Sequence, residues 1–474
     1  MPAHVLLLEK NLRLLAYAED QVLENEKNEF RRFISMLSHS NKTSFVVISI
    51  IIATLITDIS IIKIYYLGIH QEYTKSSMII FIIISSISLL GQYFVLALGK
   101  LTIKKDAHLY RFYKIVTIVQ YALTAILVGT IIEMLVTSSY ATLNLQLVVW
   151  LSHGMAIIFL GLLSYRLFLW FTTRRNYAVL LYAISSLVLA INLIFTISIV
   201  TAILSGTKPY ITPRTGVYTP FFSLEPFTDL VNNGYILSSI ASFILTWCAT
   251  AFLLRHYSVI MGKTKYWVIL SLPLVYFLLQ FQPLFLNLFS TFQFIDPISF
   301  SMLYTLVFTF SKPFGGVLFG IAFWTIARRL GYNNIVRNYV IVSAYGFVLL
   351  FLSNQAIVLV SAPYPPYGLV TISFVGLSSF LVMIGIYSSA ISLAHDAKLR
   401  ELIRTSALEE TRLLDSIGMA RMEEELTGRV LKIAKANMDK LEDETGIKTS
   451  LTDQELKDYL DLVQNEIKNQ KRNN

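Results

Sequence analysis

Ten apolar stretches, each at least about 20 residues long and so able to cross a hydrocarbon core of roughly 30 Å, follow one another from Ser44 to Ala394. They begin near Ser44, Met78, Tyr113, Leu145, Tyr177, Gly234, Tyr266, Ser299, Ile335 and Gly368. The pattern leaves little freedom. The chain reads as an all-α, polytopic membrane helix bundle of about ten transmembrane helices over residues 44–394. An amphipathic helix precedes it in residues 1–43, and a helical tail follows in residues 395–474.

The loops give the orientation, because Lys and Arg near span ends are retained on the cytoplasmic side. Lys10, Arg13, Lys27, Arg31, Arg32 and Lys42 precede the first stretch, and the next loop holds only Lys75. Lys100, Lys104, Lys105, Arg111 and Lys114 follow, whereas 137–144 carries no Lys or Arg. The alternation continues through Arg174 and Arg175, then Arg255, Lys263 and Lys265, then Arg328, Arg329 and Arg337. It places both termini in the cytoplasm and the long loop 206–233 outside.

Of 30 acidic residues, only Asp58, Glu72, Asp106, Glu133, Glu225, Asp229 and Asp296 lie between Arg31 and Ala394. The net charge of +9 therefore sits at span ends, where it serves retention and contact with anionic head groups; it predicts lipid contact and no nucleic-acid partner. The single cysteine, Cys248, lies inside a stretch, so the chain has no intrachain disulfide.

Leu8, Leu12, Leu15, Val22, Phe30, Phe33, Ile34 and Leu37 recur at near-helical spacing among charges, which is the pattern of an amphipathic helix rather than a signal peptide. In loop 206–233, Pro209, Pro213, Pro220 and Pro226 forbid one continuous helix, while five aromatic residues point to a lid or an interfacial anchor. From Lys398 to Glu444 the tail is proline-free and rich in helix formers. Met419, Met422, Leu426, Val430, Ile433 and Leu441 fall on one narrow stripe, predicting a protein partner or self-association through 398–470. A capping box at Thr452–Glu455 opens a second helix. The passage from the tenth stretch into this tail reads as one continuous helix.

The tail sequence LLDSIGMARMEEELTGRVLKIAKANMDKLEDETGIKTSLTDQELKDYLDLVQNEI resembles the cytoplasmic ends of uncharacterised multi-pass membrane proteins of ammonia-oxidising archaea. The resemblance implies an archaeal plasma-membrane location and carries over no activity.

The chain has no glycine-rich phosphate loop, no nucleophile elbow and no histidines at metal-ligand spacing, so no catalytic residues, cofactor or metal are expected. Its chemistry has to come from the few polar groups inside the spans. Lys312, in LVFTFSKPFGGVLFG, costs about 2.5–3.5 kcal/mol at a span centre, which apolar neighbours at roughly −0.5 kcal/mol each offset. Pro313 and Gly315–Gly316 predict a kink or break beside it. Asp58, Glu133, His153, Gln280, Gln282 and Asn354 complete a candidate ligand or ion site, with Asp58 or Glu133 expected to pair with Lys312, Asp58 ahead because Glu133 lies near a span end. Two functions compete. One is a receptor-like sensor that passes a signal from the bundle to the tail. The other is a secondary transporter with a solute or ion site near Lys312, against which stands the absence of prolines between Pro2 and Pro209, so that the two halves are not interrupted alike.

Overall fold

The computed structural model describes residues 41–66, 75–103, 107–206, 209–213, 226–281, 288–289, 296–330, 335–361, 363–397, 400–401 and 412–445. Within them the chain is helical almost throughout. The helices are α1 Asn41–Tyr66, α2 Lys75–Ile103, α3 Ala107–Thr137, α4 Thr142–Thr173, α5 Tyr177–Ser205, α6 Pro226–Leu253, α7 Tyr257–Met261 and α8 Lys263–Leu278. They continue as α9 Pro297–Arg329, α10 Ile335–Ser353, a 3-10 helix Ala356–Ser361, α11 Leu369–Ile372, α12 Phe374–His395 and α13 Arg412–Thr445. Two short strands, β1 Tyr140–Ala141 and β2 Tyr210–Ile211, pair antiparallel.

Among the described residues nine helical stretches are long and apolar enough to cross a membrane. With no water in the hydrocarbon to satisfy backbone groups, helix is the form such sequences must take there. The stretch expected from Tyr266 is represented by α8, whose 16 residues span only about 24 Å. The amino-terminal helix of residues 1–43 falls almost wholly outside the described residues, as does the second tail helix at 452–455.

The last membrane-crossing stretch forms the centre of the bundle. Leu369–His395 is buried over its whole apolar window, against 28% for α3. Small residues make this possible. A Cβ at Gly385 would lie 2.7 Å from the Tyr339 carbonyl oxygen, and one at Gly346 2.7 Å from the Val382 amide nitrogen, so α10 and α12 touch backbone to backbone. α4 closes on the other side of α12, where Phe159 meets Phe380 at 5.2 Å between ring centroids.

At one end of the bundle the connections are fastened together. Strand β2 ties the 206–225 loop to the α3–α4 turn, and Thr142 N–H donates to the Pro209 carbonyl at 2.9 Å. The buried Tyr140 hydroxyl donates to the Pro363 carbonyl at 2.7 Å. Burial pushes its pKa well above the usual phenol value, so it remains a donor. Tyr367 donates to Ser77 O at 2.6 Å, bringing α2 into the same layer. The long loop is shorter than 206–233, because α6 begins at Pro226, whose fixed φ and missing N–H suit the first helical position.

The opposite end carries Arg174, Arg175 and the tail helix, and here the expectation of one continuous rod is corrected. α12 stops at His395, and Asp396 is extended at φ −105°, ψ 101°. The chain then returns, so that α13 lies against α12, α4 and α5. Leu413, Leu414, Ile417 and Ala420 join the main core. Gly418 permits the approach, since a Cβ there would lie 2.6 Å from Leu393 Cβ. The turn between α4 and α5 receives α13 through Asn176, which donates to Ser416 Oγ at 2.8 Å. Arg166 pairs with Glu424 at 2.9 Å.

Candidate functional site

Lys312 is only 5% exposed and lies on α9 opposite a break in α10. Regular helix ends at Ser353, the Asn354 amide makes the last bond to Leu350 O at 3.0 Å, and a 3-10 turn follows. The carbonyl of Asn354, released at this helix end, accepts from Lys312 Nζ at 2.6 Å. An ammonium at a helix C-terminus also meets the negative end of the helix dipole. Lys312 further donates to the Tyr235 hydroxyl at 3.4 Å and stands 5.6 Å from that ring's centroid.

The expected break beside Lys312 itself does not occur. α9 runs unbroken from Pro297 to Arg329 through Pro313. Pro313 leaves the carbonyl four residues back, that of Thr309, without its helical donor, and Gln355 Nε2 takes it at 3.4 Å. Gly315 and Gly316 serve packing instead: a Cβ at Gly316 would lie 2.9 Å from Phe351 Cβ. The discontinuity therefore belongs to the neighbouring helix.

Around this break the buried polar groups gather. Asn354 Nδ2 reaches Asn192 Oδ1 at 3.5 Å, and Asn192 Nδ2 donates to Tyr235 O and Ser238 Oγ, each at 3.0 Å. Gln280 Oε1 accepts from Ser311 Oγ, beside Lys312, at 3.0 Å. His153 is fully buried, holds Ser152 Oγ at 3.1 Å through Nδ1 and is within electrostatic reach of Lys312. His153 Nε2, Gln280 Nε2, Thr309 Oγ1 and Gln355 Oε1 have no hydrogen-bond partner among the described residues. Each such buried group costs about 1–3 kcal/mol, so their concentration at one place sets it apart from ordinary packing.

Asp58 is not part of this cluster, and the expected pairing with Lys312 is corrected. Its carboxylate holds a second break, at the start of α11. It accepts from Gly368 N–H at 3.0 Å, Thr371 N–H at 3.2 Å and Thr371 Oγ1 at 2.7 Å. Gly368 adopts φ +86°, a region that suits glycine, and this turns its amide toward Asp58. The anion faces a helix N-terminus and the cation a helix C-terminus, so each buried charge is met by backbone of the opposite polarity. Beyond the second break, Gln92 donates to Ser373 Oγ and Gln120 to Gln92 Oε1, extending a polar seam to α2 and α3.

Glu133 lies apart, near the far end of α3, where it accepts from Asn144 Nδ2 at 3.0 Å. No carboxylate among the described residues reaches Lys312 within ion-pair distance. Gln282 lies outside the described residues. Asn192, Tyr235 and Thr371 were not singled out from sequence. Asn192 carried a signal, as an asparagine in the uniformly apolar LVLAINLIF, whereas nothing local marks a tyrosine or threonine as a partner.

On the tail stripe, Met419 and Met422 are half-buried, while Leu426, Val430 and Ile433 are 49%, 42% and 62% exposed. The side chain of Leu441 lies outside the described residues. The helix is thus bound to the bundle along its first turns and bare along its next ones.

Fold and site together define a polytopic α-helical membrane protein with charged groups set at helix breaks in its interior. No family model matches the chain, and no curated protein or solved structure matches it.

Proposed function

We propose that the chain is a plasma-membrane sensor with both termini in the cytoplasm. A small polar or anionic solute binds at the α10 break, and α13 carries the response to a protein partner or a second copy through Leu426, Val430 and Ile433. One observation carries the reading: the second break opens α11, which Ser373 joins directly to α12, the helix on which α13 rests. A solute that completes the polar groups around Lys312 would change the balance at the break, and the connected helix would transmit it. Lys312 supplies the cation, and Asn354, Gln355, Gln280 and His153 supply directional contacts.

The test uses full-length protein in nanodiscs, with Cys248→Ser and spin labels at Tyr177→Cys and Ile433→Cys, two exposed positions flanking the junction. Lys312→Met is expected to shift or broaden the distance distribution. An identical distribution would remove the link between site and tail. A secondary transporter is the second reading, favoured by the discontinuous helices whose ends face buried charges. Proton flux into dye-loaded proteoliposomes that disappears in Lys312→Met, with unchanged label distances, would select it.

A further inference from the structure

A cavity of about 360 Å³ opens where α13 meets α3, α4 and α12, far along the chain from Lys312. Its walls are apolar, formed by Leu109, Phe112, Leu162 and Met383, and its polar groups are Tyr387 and two guanidinium groups, Arg166 and Arg421. Arg166 approaches the Tyr387 ring to 5.8 Å and Arg421 to 5.5 Å, so one aromatic ring gathers two like charges. Glu424 bridges them, at 2.9 Å from Arg166 and 2.8 Å from Arg421. Each guanidinium has five donors and the bridge uses one from each. Arg421 Nε is buried without a hydrogen bond, although the Glu425 carboxylate lies 3.3 Å away. Glu425 is shared with His395 at 3.5 Å.

From this we infer that the cavity is a binding site for an anionic single-chain amphiphile. Its acyl chain would lie against Leu109, Phe112 and Leu162, and its phosphate or carboxylate between Arg166 and Arg421. The volume is at the lower end of the roughly 300–1,000 Å³ of small-molecule sites, which suits one chain and not two. A phosphate can accept from both guanidiniums at once, the geometry in which arginine binds best. Arg166 is 36% exposed, so the site is reached from outside the bundle, and exposed Arg111 and Lys114 on the adjoining turn of α3 draw anions to it. The anion competes with Glu424, one of the residues that hold α13 down. This site stands independently of the sensor reading.

Full-length protein in phosphatidylcholine nanodiscs is titrated with lysophosphatidic acid, with lysophosphatidylcholine and inorganic phosphate as comparisons. Saturable binding of lysophosphatidic acid is expected, weakened about tenfold or more in Arg166→Gln and Arg421→Gln. Glu424→Gln removes the competitor and is expected to tighten binding severalfold, which a merely structural Glu424 would not do. Leu162→Trp, which fills the cavity without touching the arginines, should abolish it. Equal binding of lysophosphatidylcholine, equal affinity for free phosphate, or arginine variants that bind like the original chain would each overturn the assignment.

Discussion

Asp58 and Lys312 show how an unmatched charge persists in an apolar interior: each is held by main chain that a helix end has released. An aspartate on a helix with no other acid nearby in sequence invites pairing with the mid-span Lys312, and the sequence offers no view of Gly368 or of the carbonyl at Asn354. What was legible was that these charges lie inside spans; their partners were not, because backbone groups are freed by breaks that arise in three dimensions. The energetic consequence is testable. Asp58→Asn and Lys312→Met should each destabilise the protein by about 1.5–3 kcal/mol, the worth of hydrogen bonds to charged groups. Since they share no partner, the double variant should equal the sum within about 0.5 kcal/mol. A larger coupling in denaturation experiments in micelles would restore the direct pair.

Long hydrophobic runs made the helices legible, and most starts expected from them lie within about three residues of an observed one, while those near Tyr113 and Gly234 begin earlier, at Ala107 and Pro226. Interruptions were harder to read. Pro313 marked a break that did not form, because a proline removes a single donor and Gln355 supplies the replacement. The real break, at Ser353–Asn354–Gln355, has no proline, and only its three consecutive polar residues announce it. Close crossings were also invisible, since a glycine looks the same whether it meets another helix or lipid. Gly385→Ala should therefore separate α10 from α12 and lower the melting temperature markedly, because backbone atoms lie where its Cβ would go. Gly129→Ala, with nothing within 4 Å, should be neutral or gain up to about 1 kcal/mol from helix propensity. Equal effects of the two would show that the crossing tolerates a larger gap.

The bundle is polarised from end to end. One end is closed by β1, β2, Tyr140 and the turn around Pro363, and the other by basic turns and α13. Loop charge predicts that the first faces outward. In a Cys248→Ser background, Tyr210→Cys, at a position 58% exposed, should react with an impermeant maleimide added to intact cells, and Lys440→Cys should react only after permeabilisation. The opposite pattern would invert the orientation and place α13 outside. The tail was legible as a helix with an apolar stripe. Its return to the bundle was not, because the residues that seat it, Leu413, Leu414 and Ile417, look like any other leucines and isoleucine of an amphipathic helix.

The position of α12 also governs how such a protein is made. Chain synthesis delivers α11 and α12, the stretch Leu369–His395, after every other described span, yet they occupy the middle, and until they arrive Asp58 has no Thr371, Gln92 has no Ser373 and the facing sides of α4 and α10 have nothing between them. The earlier helices must wait in the bilayer around an unfilled axis, with polar groups turned toward one another or toward whatever holds them during biogenesis. A chain interrupted before the last span would have its other helices inserted but lack its interior, leaving unmatched the polar side chains that the finished protein conceals.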